Sequence, residues 1–372
     1  MKSLIKILIP RQLLLLLILA TGLLNHVILI PSLLRAAGRD SWIGVIAAFP
    51  ISVLFLYLIY YIVKNSPPEG FYSLIKHRFG KVVYSLLTVP VLLFLFLSSY
   101  VTLKDLIIWL NAYFLADFSL FMITFVLVTA CFFATLAGIK SMASASGLLL
   151  PLVILFGIMI AAINSSVKDP SLLLPIFSQG WNPVLKGMIY TLSGLLEIYI
   201  ITLLQPFSQE AIKFRHLLVL LVILTGLILG PLSASIMEFG PVESTNFRYP
   251  AYEQWRILSI GEYINHLDFF ALYQWLSGAL IRIGLFMYLL GVFLTRGLKH
   301  YRLKPLIVLF MYLLLFGAVH FIPLEPYDFN NYIYHYFLPG SLIFFMTYTL
   351  LSALILFVLK KRGEQYGKSI GF

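Results

Sequence analysis

The 372-residue chain is 61% hydrophobic and only 11% charged, with a mean hydropathy of +0.97. A soluble globular chain carries about 25% charged residues, and a 42.2 kDa fold of this composition would expose large apolar patches to water. Soluble enzymes, nucleic-acid binders and disordered regulators are therefore excluded, and the formal charge of +11 becomes a question of which loops carry the basic residues.

A helix crosses the ~30 Å hydrocarbon layer with roughly 20 apolar residues. Ten such stretches follow one another, near 12–36, 41–63, 82–110, 118–138, 143–164, 184–208, 216–238, 268–295, 305–322 and 337–359. Lys2, Lys6 and Arg11 before the first apolar core resemble the opening of a signal peptide. The apolar run continues past any plausible cleavage point, so it is expected to remain as span one. With a cytoplasmic N-terminus, the inner segments collect 18 Lys/Arg against three acids, and the outer segments six basic residues against ten acids. That asymmetry predicts cytoplasmic termini and an even number of spans.

The longest segments outside the spans, 165–183 and 240–266, are too short to bury a core of their own, so residues 1–372 are expected to form a single integral membrane domain. In 240–266, Pro250 suits a helix start, and Trp255, Ile257, Leu258, Ile260 and Ile264 stand apolar among charges. The pattern predicts an outer-surface helix, either a lid over a vestibule or a helix lying at headgroup level.

Span one contains Thr21-Gly22-Leu23-Leu24-Asn25, and span six contains Ser193-Gly194-Leu195-Leu196-Glu197. Both read hydroxyl, Gly, Leu, Leu, polar, about ten residues into their spans and so near the bilayer centre by helix rise. Glycine tolerates unwinding, and neighbouring polar side chains can satisfy freed backbone groups. Transporters built from two inverted five-helix halves break the first helix of each half at this depth. The same glycines could instead simply let helices approach closely.

A charge near mid-membrane costs about 2.5–3.5 kcal/mol on insertion scales and usually faces a partner or a watery cavity. Glu197 in span six and Arg282 in span eight both fall near mid-depth, while Lys104 and Asp105 sit in the outer third of span three. Glu197 could carry a proton or bind a ligand amine with Arg282 as its gating partner, or the two could form a static ion pair. His26 could relay protons, although a lone helical histidine is more often a hydrogen-bonded packing residue. Ser98, Ser99, Tyr100 and Thr102 form a polar cluster in span three that could line a central cavity or glue helices together. Cys131 is the single cysteine, so no intrachain disulfide or thiolate metal site is available. No metal-ligand spacing, phosphate-cradling glycine loop or Ser/His/Asp set is visible, so neither a metal, a cofactor nor an enzyme activity is expected.

The opening IPRQLLLLLILATGLLNHVILIPSLLRAAGRDSWIG resembles that of the spore germination permease family, the B subunits of germinant receptors. The resemblance is carried by Gly22 in the first helix, by Ile30-Pro31 and by Ala37-Gly38-Arg39-Asp40-Ser41-Trp42. Further on, Gly194 and Glu197, Ile260-Gly261-Glu262, Leu267-Asp268 and the intramembrane Arg282 also fit. This resemblance implies an all-α polytopic bundle similar to the amino acid/polyamine/organocation transporter superfamily, a LeuT-like 5+5 inverted repeat. The halves would cover about 12–164 and 184–359, with helices one and six broken. It also implies a small germinant, commonly an amino acid, held in a mid-membrane pocket, and partners in an A-type membrane subunit and a C-type lipoprotein subunit. Thr21, Gly22, Asn25, His26, Ser98, Ser99, Ser193, Gly194 and Glu197 are the candidate ligand-binding residues, and Glu197 with Arg282 the candidate coupling pair. In that arrangement, unpaired N–H groups near Asn25 and His26 would meet a carboxylate and Glu197 an amino group. The rival readings are a proton-coupled amino acid permease acting alone and a structural membrane subunit with a vestigial pocket.

Overall fold

The computed structural model describes residues 7–261, 266–295, 303–322 and 324–369, with side chains placed through residue 361. Lys2, Lys6, Glu262, Ile264, Arg296, Lys299 and Arg302, which enter the sequence arguments, lie outside the described residues, as do the side chains of Arg362, Glu364 and Lys368.

In hydrocarbon every backbone polar group must be satisfied within its own segment, and this composition meets that demand with helices. Span one runs through Pro10–Leu23, a π-helical turn Leu24–Ile28 and Leu29–Ala37. Span two is Ser41–Asn65. The helix Phe71–Tyr113 bends at Gly80, and Leu120–Ile163 bends at Gly138. Both glycines hold positive φ, +80° and +83°, which side-chain-bearing residues rarely adopt. Each bend separates two functional lengths. Residues 71–79 form a short surface helix before span three, and 120–137 and 139–163 are spans four and five.

Span six combines Trp181–Leu195, a 3-10 stretch Leu196–Ile200 and Ile201–Leu204. Span seven is Phe214–Phe239, span eight Phe269–Leu294 and span nine the 17-residue Pro305–Phe321. Span ten is Pro326–Tyr332, a second π-helical turn Ile333–Phe337 and Leu338–Ser369. Among the described residues, seven of the helical stretches are long and apolar enough to cross a membrane. Two of these, 10–65 and 120–167, hold two spans each, and span nine is the shorter tenth.

The interruptions in spans one and six fall where the sequence places them, but neither is an open coil. The chain stays helical, changing hydrogen-bond register through a π turn in one and a 3-10 turn in the other. Such changes re-aim backbone groups without abandoning them to hydrocarbon. The inverted arrangement also shows at the surfaces. The helix 71–79 joins spans two and three on the N-terminal face, and Glu243–Asn246 and Pro250–Arg256 join spans seven and eight on the far face.

Spans one, six and eight form the centre: residues 16–25, 190–204 and 281–291 are buried throughout. Span two crosses span six where Gly44 meets Gly187, and a Cβ on Gly44 would come within 3.0 Å of the Gly187 Cα. Small residues permit this approach, as is usual where lipid supplies no hydrophobic drive between helices. Gly194 is tighter still, because a Cβ there would overlap Asn25 Oδ1 and lie 2.9 Å from Leu29 Cδ2.

Gly194→Ala should therefore overpack the contact between spans one and six and destabilise the protein by about 1–3 kcal/mol. Gly226→Ala, whose Cβ meets nothing within 4 Å, should be near neutral, within about 0.5 kcal/mol. Thermal unfolding of the two purified variants in one detergent checks the contrast.

Candidate functional site

At the centre lies Arg282, fully buried, with all three guanidinium nitrogens engaged. Nε donates to Thr102 Oγ1 at 3.0 Å, Nη2 to Ser98 Oγ at 2.6 Å and Nη1 to the Ala20 carbonyl at 3.1 Å. Nη1 also lies 2.7 Å from Glu197 Oε1, an ion pair with neither side chain exposed. The Phe286 ring lies 4.6 Å from the guanidinium carbon and adds a cation–π contact.

The irregular turns explain why these partners are free. In a regular α-helix the Leu24 N–H would bond the Ala20 carbonyl; here it turns to Thr21 O at the start of the π turn. The Ala20 carbonyl then accepts from Arg282. Glu197 sits inside the 3-10 stretch of span six, where Leu196 N–H bonds Leu192 O and Gly194 O. Spans one, three, six and eight thus meet at one cation. Glu197 Oε2 and Asn25 Oδ1 are buried acceptors without a hydrogen-bond partner among the described residues.

The candidate residues separate into four groups. Ser98, Glu197 and Arg282 come together, joined by Thr102 and the Ala20 carbonyl. Asn25 faces Gly194 while its amide donates to Thr21 O at 3.0 Å. Thr21, Ser99 and Ser193 donate to carbonyls of their own turns, Leu17 at 2.7 Å, Leu95 at 2.8 Å and Tyr190 at 2.6 Å. Gly22 and His26 lie on another side of span one. They line a cavity of about 450 Å³ bounded by spans one, five, seven and eight and the Pro250–Arg256 helix. Neither Glu197 nor Arg282 lines that cavity. This cavity lies beside span one; between spans one and six, Asn25 and Leu29 pack onto Gly194.

His26 has a structural partner. Pro231 in span seven has no N–H, which leaves the Leu227 carbonyl without its helical bond. His26 Nδ1 lies 3.4 Å from that carbonyl and donates to it as the Nδ1–H tautomer. Gln254, Gln274 and Trp275 also line the cavity and lie outside the two repeated hydroxyl-Gly-Leu-Leu-polar motifs. An amide about two turns before Arg282 in a mostly apolar span eight was the signal available for Gln274.

Both ends of the core are closed. On the far face the Pro250–Arg256 helix lies buried over the bundle. Trp109 stacks on Trp275 at 4.4 Å, Tyr252 packs edge-on to Tyr113 at 4.5 Å, and Arg248 pairs with Asp105. Tyr252 donates to Asp268 at 2.8 Å; burial first, and then that carboxylate, push its phenol above the ordinary tyrosine range. On the N-terminal face Tyr72, Tyr199 and Ser352 form a hydroxyl chain with links of 3.1 and 3.0 Å. There residues 7–8 also pair with 207–209 below span six.

This architecture matches known proteins. The solved structure of MhsT in complex with L-phenylalanine shares the fold, with a TM-score of 0.51 at 12% identity over 93% of this chain and 98% of that one. The chain is 36% identical over 352 residues to Spore germination protein XB of Bacillus anthracis, covering 94% of this chain and 98% of that protein. A family model described as spore germination protein matches residues 8–328. With a LeuT-like helical fold and ten apolar spans, the chain is an integral membrane protein that belongs to the spore germination protein family.

Proposed function

We propose that the chain is the germinant-sensing, permease-like subunit of a nutrient receptor in the spore inner membrane, with both termini in the cytoplasm. It binds a small nutrient, an amino acid, in the middle of the bundle and triggers germination together with an A-type membrane subunit and a C-type lipoprotein subunit. The observation that carries this reading is the Glu197–Arg282 pair, fully buried where the irregular turns of spans one and six meet spans three and eight.

An amino acid carries the same two charges as the pair it would enter. Its carboxylate can take the place of Glu197 on Arg282 while its ammonium meets Glu197, so insertion leaves neither buried charge unpaired. An ammonium also suits the two acceptors that lack partners, Asn25 Oδ1 and Glu197 Oε2. The fold neighbour holding L-phenylalanine supports an amino acid as the ligand class. Separating the pair pulls spans one and eight from span six, which gives the ligand a different affinity for the closed and opened states, the requirement for any ligand-driven shift. The Pro250–Arg256 helix then acts as a lid on the far face, released from Asp105 and Asp268 when the centre opens. The second reading, a proton-coupled permease acting alone, uses Glu197 as the proton carrier.

Glu197→Gln should abolish the spore's response to its nutrient while the protein remains in the membrane, as read by germination assay and immunoblot. Because breaking one side of a buried pair costs about 3–5 kcal/mol, Glu197→Gln/Arg282→Gln serves as the companion variant. It should keep the protein at unmodified levels, again without a response; a response in either variant would sink the proposal. The isolated chain in proteoliposomes should show no accumulation of radiolabelled amino acid driven by a pH gradient, and robust accumulation would favour the permease.

A further inference from the structure

Span seven reads Gly226-Leu-Ile-Leu-Gly230-Pro-Leu-Ser-Ala234, and span five carries Gly157 and Ala161, so small residues recur every fourth position along one side of each helix. In a membrane bundle such spacing usually brings helices into contact. Here it does not: a Cβ added to Gly157, Gly226 or Gly230 would meet nothing within 4 Å. Beside them Ile154 and Ile158 are 49% and 61% exposed. Gly226 stands halfway along its span, so what lies outside this opening is hydrocarbon.

Behind the opening, the 450 Å³ cavity runs inward to Gly22 and His26 of span one and Gly278 of span eight. A void of this size is foreign to packed protein, because its walls forfeit their dispersion contacts. Water is a poor filler, needing two to four polar partners, and the amides on the wall are already engaged. Gln254 donates to the Pro231 carbonyl at 2.7 Å, and Gln274 joins Trp255 at 3.1 Å and the Val153 carbonyl at 3.0 Å. A partner helix, about 10–12 Å across, would cover the mouth and leave the inner part of the cavity along span one unfilled. A single hydrocarbon chain can fill both.

At the far-face rim stands Lys168, whose ammonium is 3.6 Å from Glu238 and donates to the Ala161 carbonyl at 3.1 Å. It sits just beyond span five, at the level of lipid phosphates. On the inner wall, the Nε1–H of the nearly fully buried Trp275 has no acceptor among the described residues and suits an ester carbonyl. We propose that the cleft between spans five and seven is a lipid site, holding one acyl chain of a phospholipid from the far-face leaflet, its phosphate near Lys168 and its tail against the π turn of span one. The site is separate from the charge centre, since neither Glu197 nor Arg282 borders it, although Gly22 and His26 of the candidate ligand-binding set do.

The full chain is reconstituted in phosphatidylcholine vesicles doped with a phosphatidylcholine that carries a diazirine near the end of one acyl chain, then irradiated and mapped by peptide mass spectrometry. Adducts are expected within residues 18–27 of span one. Gly226→Phe and, separately, Gly157→Phe should fill the cleft and cut those adducts by about tenfold, the change that a loss of about 1.4 kcal/mol produces. Adducts at the lipid-facing Leu309 and Leu313 of span nine should stay constant, which also reports that each variant is folded in the bilayer. Absence of span-one adducts in the unmodified chain, or no change in both variants, would overturn the proposal. Loss of the adducts on adding a panel of free amino acids would overturn it as well, by making the cleft the nutrient pocket.

Discussion

The structure turns on one buried guanidinium. The Arg282 guanidinium cannot be left bare in hydrocarbon, so the surrounding helices are arranged to supply its acceptors. Ser98 and Thr102 come from span three, Glu197 from span six and the Ala20 carbonyl from span one. Only Glu197 carries a compensating charge. The carbonyl is available because the π turn of span one displaces the Leu24 N–H to Thr21. The interruption that looks like a weakness in the helix is thus the source of a ligand for the cation.

A consequence is that the core is held by polar contacts where lipid offers no hydrophobic force between helices. Spans two and six supply close apolar packing at Gly44 and Gly187, but the charge cluster fixes the relative depth of four spans at once. Buried pairs of this kind are weak evidence for stability, since desolvation offsets much of their attraction. Their worth lies in specifying one arrangement. A ligand able to substitute for one partner could release that arrangement without stranding the other.

Span one borders two different environments. One side presents the Ala20 carbonyl and Asn25 to the charge cluster and to Gly194, and another presents Gly22 and His26 to the apolar cavity beside spans five and seven. His26 is tied to span seven through a carbonyl that Pro231 leaves unpaired. A rearrangement of span one therefore alters both the polar centre and the lateral cavity. The aromatic stack of Trp109, Tyr252 and Trp275 on one face and the Tyr72–Tyr199–Ser352 chain on the other close the two ends around it.

The ten spans, the depth of the two interruptions and the mid-membrane position of Glu197 and Arg282 were all legible in the amino-acid order. They follow from local quantities: runs of apolar residues against bilayer thickness, glycine beside polar groups, and rise per residue. The start of the outer helix at Pro250 was legible for the same reason, since proline prefers a first helical turn. Tertiary packing alone decided that the interruptions become π and 3-10 turns, because a helix changes register only when a neighbour takes up the freed carbonyl, as Arg282 takes that of Ala20. It also decided that Thr21, Ser99 and Ser193 use their hydroxyls on their own turns, and that a cavity opens beside span one. Which side of a uniformly apolar helix faces a neighbour, a void or lipid leaves no periodic mark in the sequence when lipid and protein interior are equally apolar.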